Sequence, residues 1–233
     1  MLKQWRWYLF CSLVVIMTLL LVQMGSCGIT VLAERRPVVR EHCVVIDAGH
    51  GGEDGGAVSV SGFPESGYNL AIALRLQELI RLLGYDTKMI RTEDVSVYTN
   101  GQTLSQKKGS DLKERVRIVN ESDGAILLSI HQNHFPDPEL HGAQVFYGKA
   151  EESEALAKQI QDLFLASVNK GSRRQIKKAE GVYLMEHILV PGVLIECGFL
   201  SNPQEENLLR DPEYQKKLSA VIAVAVDRHL SNT

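Results

Sequence analysis

The chain has 233 residues, is 45% hydrophobic and carries a formal charge of −3. That weak negative balance excludes a protein built to hold a phosphate backbone, so no nucleic acid is expected as a partner. Four cysteines without a CxxC pair exclude a thiolate metal cluster and a redox dithiol. At the N-terminus Lys3 and Arg6 precede the apolar run Tyr8 to Val22, interrupted weakly by Ser12 and Thr18. Charge followed by a short hydrophobic segment is the plan of a secretory signal or a membrane anchor. A spanning helix needs roughly 17–25 apolar residues, so the run stands at the lower limit, while Val31 and Ala33 offer a cleavage site. Both a cleaved signal and an uncleaved anchor fit, and Met24-Gly25-Ser26-Cys27 is a poor version of a lipoprotein box. Residues 1–33 are read as signal or anchor, 34–42 as linker and 43–233 as a single domain acting outside the cytoplasm.

The domain begins with the strand Val44 to Ala48, which runs into Gly49-His50-Gly51-Gly52-Glu53-Asp54-Gly55-Gly56. Glu65-Ser66 introduces a helix with Ile72, Leu76, Leu79 and Leu83 on one stripe, stopped by Gly84. Tyr85 to Arg91 reads as a strand, and Thr92 to Ser110 as a long polar loop. Asp111 with Glu114 has the spacing of a capping box and opens a helix ending near Asp123-Gly124. Ala125 to Ile130 is a buried strand that runs into His131-Gln132-Asn133-His134. A strand at Ala143 to Tyr147, a helix from Glu151 to Val168 and a basic loop from Gly171 to Gly181 follow. Val182 to Met185 is assigned as a short strand, and Val193 to Ile195 as a strand ending in Glu196-Cys197-Gly198. Asn202-Pro203 and Asp211-Pro212 start the last two helices.

Alternating strands and helices imply an α/β single domain, a mostly parallel twisted sheet with helices on both faces. Three strands share one grammar, an apolar run and then a polar residue at a glycine or turn, which sets His50, His131 and Glu196 at one sheet edge. Glu65, at the start of the first helix, lies near the same edge. Two imidazoles and a carboxylate with one position left open suit catalytic Zn²⁺, since Mg²⁺ prefers an all-oxygen shell. His50, Glu65 and His131 are therefore assigned as metal ligands, and Glu196 as the general base. Each has a plainer rival: a hydrogen-bonded histidine, an acid favoured by the helix dipole, or a buried Glu196 paired with Arg91 or Arg115. His134 and His141 compete with His131, although His134 points to the opposite side of an extended segment. Cys43 and Cys197 are read as small buried side chains, with a disulfide between them as the alternative. The glycine loop lacks both the third glycine of a dinucleotide site and the Lys-Ser/Thr of a P-loop. No G-x-S-x-G elbow for a serine hydrolase occurs either.

Four separated motifs carry a resemblance across about Cys43 to Leu230. They are Ile46-Asp47-Ala48-Gly49-His50-Gly51-Gly52, Glu65 before Asn69-Leu70, Ser129-Ile130-His131-Gln132-Asn133, and Leu194-Ile195-Glu196-Cys197-Gly198-Phe199-Leu200-Ser201-Asn202. Together they resemble the zinc-dependent N-acetylmuramoyl-L-alanine amidases of the bacterial cell wall. The resemblance implies zinc on His50, Glu65 and His131, a catalytic Glu196, and peptidoglycan as substrate. Asp111-Leu112-Lys113-Glu114-Arg115-Val116, Gly181-Val182-Tyr183-Leu184-Met185 and Pro191-Gly192 are similar to the germination-specific, sporulation (CwlD-like) branch. That branch strips peptide stems from cortex muramic acid before muramic δ-lactam forms. His134 departs from the family pattern, which has a small residue there, and is expected to line the groove or add a metal contact. Arg173, Arg174, Lys177 and Lys178 are a solvated basic face or, alternatively, contacts for stem carboxylates. Asp47 is expected to be a strand-end acid or one that orients a metal-bound histidine. No wall-binding repeat is visible, so targeting falls to the membrane through an uncleaved N-terminus, to the groove, or to a regulatory protein partner. The rival functions are a zinc peptidase or carboxypeptidase acting within the stem, and a silent wall-binding module.

Overall fold

The computed structural model describes residues 13–18 and 40–231. Residues 13–18 are helical, and the rest of the leader reading lies outside the described residues. No helix among the described residues is long and apolar enough to cross a membrane. Met1–Val39 and Arg40–Thr233 form separate units, and the second holds every element named below.

Its strands are β1 (Arg40–Ala48), β2 (Tyr85–Met89), β3 (Ala125–Asn133), β4 (Gln144–Tyr147), β5 (Lys177–Lys178) and β6 (Gly192–Phe199). The helices are α1 (Glu65–Leu82), α2 (Leu104–Asn120), α3 (Ser153–Ser167), α4 (Tyr183–His187), α5 (Pro203–Arg210) and α6 (Pro212–Leu230). The strands form one six-stranded sheet in the order β2-β1-β3-β6-β4-β5. All neighbours are parallel except β4 and β6, which matches the expected mostly parallel α/β sheet.

Side chains alternate across a strand, and the two faces are covered unequally. Val44, Ile46, Ile126, Leu128, Ile130, Val193 and Ile195 join the larger core with α1, α3 and α6. Val45, Leu127 and Leu194 meet the smaller core, which includes Val119 of α2 and Leu184 and Met185 of α4. Asp47, Ser129, His131 and Glu196 share the second, thinner face by the same alternation.

Two local expectations give way. Helix α2 starts inside the stretch read as a loop: Thr103 accepts from Gln106 N–H and Gln106 reaches back, completing the capping box there. Asp111 is therefore inside the helix, where it accepts from Arg115 Nε at 2.6 Å. Val182–Met185 is not a strand, since α4 occupies Tyr183–His187; four apolar residues cannot declare a period by themselves. Cys197 is buried and Cys43 half-buried, and both are free thiols, so the alternative of a disulfide is not formed: β3 lies between their strands. The terminal helices are capped as read, Asn202 Oδ1 accepting from Gln204 and Glu205 N–H and Asp211 Oδ1 from Glu213 N–H.

Candidate metal centre

His50 stands in the glycine loop with a left-handed φ of 60°, a conformation that costs a non-glycine residue about 1–3 kcal/mol unless its surroundings impose it. Two buried arginines impose it. Arg115 donates to His50 O at 2.8 Å and to Ala48 O at 3.1 Å. Arg91 donates to Ala48 O at 2.8 Å, Gly49 O at 3.0 Å and Ser66 O at 2.9 Å. Arg115 also pairs with buried Asp47. Burial alone would push the Asp47 carboxyl up, but Arg115 and the Ser129 hydroxyl, which donates at 2.7 Å, hold it below the ordinary range. Asp47 thus anchors an arginine, and neither arginine serves Glu196.

The loop glycines leave room for the imidazoles. A Cβ on Gly49 would lie 2.2 Å from the His131 ring, and one on Gly56 would lie 2.6 Å from His50 and 2.7 Å from Glu65. His50 Nε2 lies 3.3 Å from Glu65 Oε2 and His131 Nδ1 lies 2.9 Å from Glu65 Oε1. The rings meet edge to face with centroids 5.1 Å apart. Asn69 Nδ2 (3.0 Å) and Gln132 N–H (3.2 Å) also donate to Glu65 Oε1, and Ala57 N–H (3.0 Å) to Oε2. Burial opposes ionisation of Glu65, yet His131, His50 and these donors hold its carboxyl far below the usual range. For His50, burial alone would lower the pKa; Glu65 and Asp54 outweigh it and raise the value.

Asp54 Oδ2, 3.0 Å from His50 Nδ1, fixes the imidazole that turns Nε2 toward Glu65. Lys108 in turn holds Asp54 at 3.1 Å. Of the two roles that the sequence leaves open for Asp47, strand-end acid or orienting acid, the contacts with Arg115 and Ser129 fit the first. Asp54 carried one available signal: a carboxylate four residues beyond His50 in the same glycine loop.

Glu196 is the register partner of His131, so both point to the thin face. Its Oε2 is buried without a hydrogen-bond partner among the described residues. Burial, aided by the charge of Glu65 and opposed by both histidines, pushes its pKa up to about 7. Beside this residue β6 carries one extra residue opposite Gln132, since Asn133 pairs with Phe199; such a bulge re-aims side chains at a strand end.

One ligand atom each from His50, Glu65 and His131 lies within 4.8 Å of the others, so the three can hold a metal ion. Two imidazole nitrogens and a carboxylate oxygen, with an acid fixing one imidazole from behind, form the donor set that Zn²⁺ takes in catalytic sites. A buried carboxyl oxygen lacking any donor adjoins this set, as expected where water is to be deprotonated. His134 is exposed and outside the three-residue cluster, so the second metal contact considered for it is not formed. His141 likewise lies elsewhere, its Nδ1 2.8 Å from Glu139 O.

Residues 44–228 match the family described as N-acetylmuramoyl-L-alanine amidase. The chain is 38% identical over 190 residues to the germination-specific N-acetylmuramoyl-L-alanine amidase of Bacillus subtilis (strain 168), covering 81% of this chain and 79% of that protein. It superposes with a TM-score of 0.79 and 38% identity on the CwlD amidase of Clostridioides difficile, solved in complex with the GerS lipoprotein, over 82% of this chain and 99% of that one. An N-acetylmuramoyl-L-alanine amidase from Clostridium difficile 630 matches at TM-score 0.72 and 29% identity, over 82% and 98% of the two chains.

Proposed function

The chain belongs to the N-acetylmuramoyl-L-alanine amidase family, and from that premise we propose a zinc-dependent cleavage of the amide joining the muramic lactyl group to L-alanine. His50, Glu65 and His131 would hold the zinc. When bound, the ion supplies a Lewis acid for a carbonyl oxygen and lowers the pKa of water. Glu196 removes the proton from the attacking water and delivers it to the departing alanine nitrogen. In the metal-free chain burial raises the Glu196 pKa, which favours the protonated form that must later give its proton to the nitrogen. Asp54 keeps His50 in one tautomer, and the Arg91–Arg115 clamp keeps the loop in the conformation that presents it.

The observation that carries this reading is the partnerless Glu196 carboxyl oxygen beside the His-Glu-His cluster. Buried acids ordinarily have a donor, and among the described residues Glu196 is the one acid with a buried oxygen that lacks one.

Likeness to a germination-specific amidase supports spore-cortex peptidoglycan as the substrate, with muramic δ-lactam forming after stem removal. Such a substrate lies outside the cytoplasm, in keeping with residues 1–33 as a signal or anchor and 43–233 as the catalytic domain. The GerS complex of the C. difficile relative supports a lipoprotein partner here as well. The test is digestion of purified peptidoglycan with the zinc-loaded chain, with and without chelator, followed by mass spectrometry. Intact stems with a free L-alanine amine are expected, and Glu196→Ala should lose about 10²–10⁴-fold in rate at unchanged zinc content. Cuts inside the stem would instead identify a peptidase, and an active Glu196→Ala variant would remove the base.

A further inference from the structure

The register row that carries the proposed chemistry extends one strand further. Glu196 pairs with His131 on one side and with Gln144 of β4 on the other. Register partners point to the same face, and neighbouring strands stand roughly 4.8 Å apart. Gln144, buried, borders a cavity of about 580 Å³ formed by the 139–144 and 171–177 segments.

Arg174 also lines this cavity. Its Nε donates to His141 O at 2.6 Å, its Nη1 to Gln144 Oε1 at 3.0 Å, and its guanidinium lies over the Phe199 ring at 4.5 Å. All three partners are neutral. Among the described residues no acid forms an ion pair with it; Glu205, whose charge reaches it, is engaged by Gly142 and Phe199 N–H. Half-burial pulls the guanidinium pKa below its ordinary value. Arg173 and Lys177 add positive charge to the lining and Glu139 a single negative one. A cation held in a fixed fork by neutral acceptors, at the edge of a cavity, is a site prepared for an anion.

We propose that this cavity is the subsite for the peptide stem, with Arg174 as the fork that receives a stem carboxylate. The proposal rests on the amidase reading above. In the intact substrate the lactyl carboxyl is tied up in the scissile amide, so the ionised groups of the stem-bearing unit belong to the peptide. Arg174 is linked to the Glu196 row through Gln144, the register partner of Glu196, and a carboxylate received there sets the orientation: peptide toward β4 and β5, glycan toward the open side.

The zinc-loaded full chain should be given two synthetic muramoyl-peptides, one with free stem carboxylates and one with every carboxylate amidated. The wild type should prefer the first by about 10- to 100-fold in kcat/KM, the range expected for a charge-assisted fork, mostly through KM. Arg174→Gln should bring that ratio close to one, and Arg174→Lys, with charge but no fork, should restore only part of it. Calorimetry with the free stem peptide and its amidated form should show the same split in wild-type affinity without any variant. A wild type indifferent to amidation in both measurements, or a folded Arg174→Gln that keeps the wild-type ratio, would overturn the subsite alone. A wild type that releases L-alanyl stem from neither substrate would remove the amidase reading, and this proposal with it.

Discussion

On one face of the sheet, Val44, Ile46, Leu128, Ile130 and Ile195 meet three long helices through fully buried apolar side chains. On the other face, the same strands present Asp47, Ser129, His131 and Glu196, covered by α2 and the five-residue α4. The first face gains by removing carbon from water, at roughly 25 cal/mol per Å². The second gives up much of that gain to bury charges, which persist only where each finds a partner. Asp47, Arg91, Arg115 and Glu65 all do. Glu196 does not, and the difference separates polar burial that supports the loop from the one acid to which the proposed mechanism gives a proton to carry.

Breaking one residue on each face tests that division. Arg115→Met strands Asp47 and frees the His50 carbonyl; removing one member of a buried pair costs about 3–5 kcal/mol. Leu128→Ala on the thick face costs a comparable 2–5 kcal/mol through the cavity it leaves. Urea unfolding should therefore rank the two variants together while zinc stoichiometry separates them. Leu128→Ala should keep one ion per folded chain, and Arg115→Met should lose it as His50 relaxes out of its left-handed φ. Full zinc retention by Arg115→Met would show that the glycines alone hold the loop.

A smaller effect of opposite sign is expected at Glu196. Its folded pKa of about 7 lies above the ordinary 4.5, so the metal-free native state keeps a proton that the unfolded chain releases. Native stability therefore falls as pH rises between those two values and stays lowered above the higher one. The interval corresponds to about 3 kcal/mol. In chelator, Glu196→Gln should match the wild type near pH 4.5 and exceed it by up to that amount above pH 7, in thermal or urea unfolding, while the zinc-loaded variant loses hydrolysis. Parallel stability curves for the two proteins would mean that Glu196 ionises freely and is not held as described.

Much of this architecture could be read in advance because strands ending in glycine or a polar residue announce themselves locally. Val44 to His50, Ala125 to His131 and Val193 to Glu196 each put the apolar run and the candidate site residue within a few residues. The arginine clamp is different in kind: Arg115 reaches Asp47 and His50 across 68 and 65 residues, and nothing near Arg115 names those partners. Helix α2 was also hard to see, because it buries only Ser110, Arg115 and Val119 and so shows almost no apolar stripe. Its inward face is chosen by the charges it must satisfy. Thin-face elements are thus the ones whose pattern depends on the finished site.

The smallest expected effect probes how the two sides of His50 share its placement. Asp54 holds Nδ1 from behind at 3.0 Å and leaves Nε2 for the proposed ion, and losing such a partner typically weakens a metal site about 10- to 100-fold. Asp54→Ala should show that loss in zinc competition against a chromophoric chelator, with little change in unfolding midpoint, because the arginine clamp still sets the loop. Lys108 contacts Asp54 from a half-exposed position, where an ion pair contributes about 0–1 kcal/mol, so Lys108→Ala should weaken zinc by less than Asp54→Ala. Equal losses would mean that the α2 lysine, rather than the hydrogen bond to Nδ1, sets the imidazole. No loss in either would assign the orientation of His50 wholly to its backbone, and the thin face would then hold its metal ligand through Arg115 and Arg91 alone.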